Sequence, residues 1–343
     1  MYARKNDKYQ PPNSYDQDMM CSNENASSDH LYTLQDAHKD FKAILKKLDG
    51  NSTMDFITQL REHLDTIDIE SPSHNADILL KSISEDLRNH PDLPLSAVMN
   101  SELIIHPSTG EFAGLEPGSV VNVDKFLYPD DESIDELCEQ GKLSRNYCVQ
   151  CGSHQVEPLT FVSHSASTQQ MKYLFKDFLP DLHDKTVIDV GSRLGVVLYH
   201  AYHYSSASNI IGVEMNPDLC GLQQYILQKY SMEDRIQVTC ADIRTQAYLL
   251  KKADVLILNN VFEFFLNVHD QKEVWKFLFE NYRKSGSYLV SIPSIAESLA
   301  PLGLILDVNT WVKEFPISMK GRVNISNEEE EEELSCIHLY KVL

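Results

Sequence analysis

Long apolar runs are missing from this chain. No stretch approaches the roughly 18 to 20 apolar residues that cross a bilayer, so no membrane-spanning helix and no membrane association are expected. The opening MYARKNDKYQPPNSYDQDMM lacks the apolar core of a secretory signal, and Asp7, Asp16 and Asp18 argue against a mitochondrial presequence. Positive charge is scarce: 30 Lys and Arg stand against 51 Asp and Glu, a formal net charge of −21. Such a chain repels phosphate backbones unless a local basic patch overrides the total, and none is visible, which disfavours nucleic acid as a partner. The seven cysteines are odd in number and scattered, which suits reduced thiols better than a disulfide frame. Internal repeats are absent. These absences together lead one to expect an intracellular protein, cytoplasmic or nuclear.

What is present falls into three parts. Residues 1–30 are polar and without periodicity, the composition of a disordered tail. Residues 31–155 read as a mainly helical, partly irregular N-terminal region that would serve as a lid or substrate element. HKDFKAILKKL places Phe41, Ile44, Leu45 and Leu48 on one helical face; MDFITQLREHL does the same with Ile57, Leu60 and Leu64, and ADILLKSISEDL with Leu80, Ile83 and Leu87. Pro91 and Pro94 then break helix. ELIIHPSTGEFAGLEPGSVVNVD has short apolar runs divided by Pro and Gly, which reads as a hairpin or irregular β structure.

Residues 156–343 alternate regularly. Strands TVIDV, NIIGVE, IQVTCAD, DVLILNN and SYLVSIPS are separated by helices LGVVLYHAYHY, LCGLQQYILQKY, QAYLL and QKEVWKFLFENY. Units of this length imply right-handed crossovers and an α/β, doubly wound, mostly parallel sheet. In the tail, TWVKEFPI and LSCIHLYKVL read as an antiparallel strand pair at one edge, joined by a loop in which the acid run NEEEEEE is a solvated tip.

In an open parallel sheet, ligands bind beyond the C-terminal strand ends. The residues placed there are Asp189 and Gly191, with Gly195 closing the turn, then Glu214, Asp242 with Ile243, and Asn259 with Asn260. Glu214, 25 positions after Asp189, can accept hydrogen bonds from both hydroxyls of a ribose. The Asp242 carboxylate can take an adenine amino proton while Ile243 packs on the ring. Arg193 stands where the turn would ordinarily carry a glycine.

At these residues the chain resembles the Rossmann-like (class I) S-adenosylmethionine-dependent methyltransferases. VIDVGSRLG is similar to their first motif, IIGVEMN to the second, TCADI to the third and DVLILNN to the fourth, over about residues 160–343. The fourth motif, with LNNVFEF, is also locally similar to the Dot-type histone lysine methyltransferases. The resemblance implies a seven-stranded sheet with an antiparallel C-terminal strand and S-adenosylmethionine as cofactor. It implies cofactor binding by Asp189, Gly191, Arg193, Gly195, Glu214, Met215, Asp242, Ile243 and Asn259. Asn259 and Asn260 would orient an incoming amine, and Phe262, Phe264 and Phe265 would either wall a channel or belong to the core. The acceptor would be a protein amine or a small molecule. Arg193 departs from the pattern: it points outward at the mouth of the site, or meets the cofactor carboxylate, or blocks the pocket. In the last case the domain is a degenerate binding scaffold. A nicotinamide-dependent enzyme would share the first two motifs but not this tail.

Cys148, Cys151 and His154 are spaced as C-x2-C-x2-H, with Cys138 or His164 as a possible fourth ligand, a pattern that suits tetrahedral zinc or a reduced turn. Ser163, Thr168 and Gln169 precede the first strand and are candidates to touch the cofactor; equally, Ser167 or Thr168 caps the following helix.

Overall fold

The computed structural model describes residues 34–49, 52–53, 56–57, 59, 72–102, 104–105, 119–149, 156–315 and 328–343. The expected polar tail lies outside these residues, as does most of the expected second helix with Leu60 and Leu64.

The described N-terminal part begins with α1 (Leu34–Leu45) and α2 (Pro72–Arg88). In α2 the apolar stripe reads true: Leu80, Ile83 and Leu87 are at most 2% exposed, and the helix packs on the first helix of the parallel unit. Next come β1 (Val120–Asn122), α3 (Asp131–Glu139), β2 (Asn146–Cys148), β3 (Val156–Pro158) and β4 (Thr160–Val162). Most of 102–124, where a hairpin or irregular β structure is expected, lies outside the described residues; its described end, β1, pairs outside the segment. β1 runs parallel to β4, from Val120 opposite Thr160 to Asn122 opposite Val162. A parallel partner needs a long connection, so local turn signals could not reveal it. α4 (Thr168–Lys172) follows and continues as a π-helical turn through Phe178. Ser167 caps it in a reciprocal box with Gln170.

The parallel unit then follows: β5 (Thr186–Val190), α5 (Val196–Tyr204), β6 (Asn209–Glu214), α6 (Pro217–Lys229), β7 (Ile236–Cys240), α7 (Ala247–Lys252), β8 (Val255–Asn259), α8 (Val268–Asn281), β9 (Tyr288–Ile292) and α9 (Ile295–Leu299). The chain closes with β10 (Val312–Phe315), α10 (Glu328–Ser335) and β11 (His338–Val342). Seven strands form one sheet in the order β10-β11-β9-β8-β5-β6-β7, with β11 antiparallel to both neighbours and the rest parallel to one another. β5 and β8 are near-continuous Val, Ile and Leu because helices cover both faces of the centre. One face packs Leu198, Ile210 and Ile226; the other packs Ile188, Leu256, Trp275 and Leu278, all fully buried or nearly so. After β5 the chain winds outward through β6 and β7, then crosses to β8 on the other side of β5. The strand order therefore reverses at the C-terminal end of β5, which opens a crevice there.

The edge pair β10 and β11 is antiparallel, as the sequence indicates, with Val312 opposite Val342 and Phe315 opposite Leu339. The acid run between them is not a loop tip: Glu328–Ser335 is α10. Glutamate is a good helix former, and carboxylates are favoured at a helix N-terminus. Fully buried Leu334 and Ile337 anchor its end, and Gln170 Nε2 donates to the Glu333 carbonyl at 3.0 Å.

Candidate functional site

A cavity of about 370 Å³ occupies the crevice at the β5 switch point. Its floor is the turn after β5. Gly191 (φ +71°), Arg193 (φ +43°) and Gly195 (φ +83°) all adopt left-handed backbone. Gly191 donates to the Val213 carbonyl at 2.7 Å, and a Cβ on it would collide with Val261. Gly195 caps α5, and a Cβ there would lie 2.5 Å from the Tyr199 hydroxyl. The turn thus keeps the dihedrals of a three-glycine loop while its middle position is an arginine, at a strain of about 1–2 kcal/mol.

Arg193 is buried, at 8% exposure, and so does not point outward. Its Nε donates to Glu102 Oε1 at 2.8 Å and its Nη2 to Glu102 Oε2 at 3.2 Å. Nη2 also donates to the Ala97 carbonyl at 2.6 Å, and Nη1 lies 3.7 Å from Asp124 Oδ2. The guanidinium sits over the Phe265 ring, 5.7 Å from its centroid. Asp124 is held separately by the Ser165 hydroxyl at 2.6 Å and by the N–H groups of Phe126 and Leu127. Burial nonetheless raises its pKa, against the lowering by Arg193.

Glu214 ends β6 with its carboxylate buried. Oε2 accepts the Arg193 N–H at 2.9 Å and Oε1 the Asn216 N–H at 2.8 Å. Each oxygen keeps acceptor capacity for a ligand. Burial raises its pKa despite those donors. Asp189, 2% exposed, makes no hydrogen bond or ion pair with any described residue. Burial, with the nearby Glu214 charge, raises its pKa well above the ordinary value. A partnerless buried carboxyl facing a cavity calls for a donor or cation from a ligand.

Asp242, Ile243 and Met215 also line the cavity. Asp242 is already engaged: it accepts the Arg244 backbone N–H at 2.8 Å and the Arg244 guanidinium on both oxygens, chiefly Oδ2 at 2.7 and 2.9 Å, while Arg244 reaches Asp270 at 2.8 Å. Of the two asparagines, Asn259 borders the cavity and Asn260 does not. Asn260 is left-handed (φ +47°) and donates its N–H to the Ile292 carbonyl at 2.7 Å. Phe262 and Phe265 line the wall, whereas Phe264 stands behind it against His164, with ring centroids 4.8 Å apart. Gly195 shapes the turn and is not in the wall.

Sequence reasoning missed the residues arriving from outside the parallel unit: Ser101, Glu102, His164, Ser165 and Ala166. The segment before β5 does reach the cavity, but through these last three. Ser163 instead accepts the Lys125 N–H at 2.9 Å, and Thr168 opens α4. No local signal marked Glu102, which lies 91 positions from its partner Arg193.

Zinc finds no support. Cys151 and His154 lie outside the described residues, and Cys148 is exposed on β2. His164 is committed elsewhere, its Nε2 bonded to Asn122 Oδ1 at 3.0 Å and its ring against Phe264 and Phe265. Among the described residues no group of three His, Cys, Asp or Glu could hold a metal, and no helix is long and apolar enough to cross a membrane.

No protein-family profile matches the chain, and no curated protein sequence matches it. Solved structures do. An RNA methyltransferase from Salinibacter ruber in complex with S-adenosyl-L-homocysteine is 15% identical, over 50% of this chain and 86% of that one, with a TM-score of 0.31. An O-methyltransferase from Bacillus cereus in complex with the same compound is 11% identical over 63% and 93%, with a TM-score of 0.36. A putative methyltransferase from Escherichia coli is 13% identical over 55% and 92%, with a TM-score of 0.37.

Proposed function

We propose, from the class I methyltransferase fold that its seven-stranded sheet displays, that this chain is an S-adenosylmethionine-dependent methyltransferase. One observation carries the reading. At the switch point, a cavity of about 370 Å³ is faced by an anchored Glu214 and by a buried Asp189 that has no hydrogen-bond or ion-pair partner among the described residues. That volume lies within the ordinary range for small-molecule sites.

The residues fit the cofactor. Glu214 has two oxygens fixed by backbone donors, as two ribose hydroxyls require. Ile243 and Met215 offer apolar surface to a base, beside the Asp242 carboxylate. Asp189 has unmet acceptor capacity for a cationic group, at a site where Gly191 admits close backbone approach. When bound, the cofactor supplies an electrophilic methyl group on a sulfonium. The chain's task is then alignment: an in-line displacement needs proximity and a free lone pair on the acceptor more than a strong acid or base. Asn259, on the cavity wall, is placed to accept a hydrogen bond from an acceptor amine, and the Phe262 and Phe265 rings exclude water around it. The acceptor we favour is a protein amine or a small molecule, since a net charge of −21 opposes nucleic acid.

A second reading, a methyltransferase fold kept as a binding scaffold, draws on the filled network of Arg193, Glu102 and Asp124. Calorimetry with S-adenosylhomocysteine and with NAD separates the readings. Binding of the first alone supports the enzyme; binding of neither supports the scaffold; binding of NAD overturns both. Transfer of labelled methyl into a fractionated lysate, followed by protease or nuclease, then identifies the acceptor class.

A further inference from the structure

Arg193 and Glu102 meet as two parallel donors on two carboxylate oxygens, at 2.8 and 3.2 Å. This fork-to-fork geometry is how guanidinium recognises any carboxylate. Both side chains are nearly buried, at 9% and 5% exposure, and both line the cavity. The pair therefore lies where a ligand goes, not behind the wall.

The two acids on Arg193 are held very differently. Asp124 is wired in by a serine hydroxyl and two backbone N–H groups besides the guanidinium. Among the described residues the Glu102 carboxylate has one other hydrogen-bond donor, the Met99 N–H at 2.7 Å. The Glu102 N–H donates to the Met99 carbonyl at 2.9 Å, and the side chain of its neighbour Ser101 makes exposed hydrogen bonds, to Asp218 at 2.7 Å and from Asn216 at 2.9 Å. Water replaces exposed bonds of that kind at little cost. If Glu102 leaves, the Ala97 carbonyl and Asp124 still hold the guanidinium in place.

We propose that Arg193 forms a carboxylate subsite of the cavity, that Glu102 fills it as an internal stand-in, and that the carboxylate of a bound adenosyl amino acid displaces Glu102. The exchange swaps one carboxylate for another, so the buried guanidinium is never left unpaired. The middle position of the turn is then an arginine because it supplies the charge that reads the amino-acid end of the ligand. The inference rests on the cofactor reading above.

Two probes separate them. S-adenosylhomocysteine carries the α-amino carboxylate; 5′-methylthioadenosine has the same nucleoside thioether without it. Wild type, Glu102→Gln and Glu102→Ala are titrated with each, after their melting curves show a folded protein. Removal of the stand-in is expected to tighten S-adenosylhomocysteine about tenfold, the effect of a competitor that fills the subsite about 90% of the time. Affinity for 5′-methylthioadenosine should not change. Arg193→Gln should weaken the first ligand and spare the second. Equal tightening of both ligands, no change, or loss of S-adenosylhomocysteine affinity in the Glu102 variants would overturn the subsite while leaving the nucleoside site standing. Failure of both probes to bind any variant would overturn the cofactor reading, and the subsite with it.

Discussion

Arg193 shows how one residue can break a local rule and be held by distant ones. Its left-handed backbone costs about 1–2 kcal/mol relative to glycine, yet among the described residues its side chain is the one cation paired with buried Glu102 and Asp124. Breaking a buried ion pair by removing one partner costs about 3–5 kcal/mol. Arg193→Gly is therefore expected to destabilise the protein by about 1–4 kcal/mol once the relieved strain is counted. Urea unfolding at pH 7 measures this, and a glycine variant more stable than wild type would show that the network contributes nothing. Asp189 gives a prediction with a pH sign. Its folded pKa lies well above the ordinary 3.8. Its neutral form therefore favours folding, and this stability is full below 3.8 and lost as pH rises through the raised value. Asp189→Asn should accordingly melt above wild type in the ligand-free state, by a margin that widens with rising pH. A margin that is constant across pH would mean that Asp189 is not held neutral by burial.

Elements were legible where their signal is local and hidden where it is not. The parallel strands declare themselves as Val, Ile and Leu runs spaced by helices, so Asp189, Glu214, Asp242 and Asn259 could be placed at strand ends from sequence alone. The pairing of β1 with β4 depends on a partner 40 positions away and left no local mark. The same holds for Ser101, Glu102 and His164, which reach the cavity only through tertiary packing. The acid run, expected as a solvated loop tip, is helix instead, with Glu331 exposed: glutamate favours helix, and Leu334 and Ile337 follow it. Leu334 separates the two descriptions. It is fully buried at the end of α10, so Leu334→Ala should cost about 2–5 kcal/mol of stability. A loss below 0.5 kcal/mol, on the order expected for a surface site, would return the segment to a solvated tip.

At the scale of the molecule, the sheet does the positioning. Its order reverses beside β5, and the turn after β5, the ends of β6 and β8, and Ser101 with Glu102 converge on one cavity. The N-terminal part contributes side chains to that cavity, so ligand affinity and the stability of its contacts are coupled. We propose that Glu214 grips the ribose of an adenosyl cofactor. Calorimetric titration of S-adenosylhomocysteine into wild type and Glu214→Ala tests it most directly. Wild type is expected to bind, and the folded variant to lose about 1.5–3 kcal/mol, roughly tenfold to 150-fold in affinity. Absence of binding to wild type, or equal affinity in the two proteins, would contradict it.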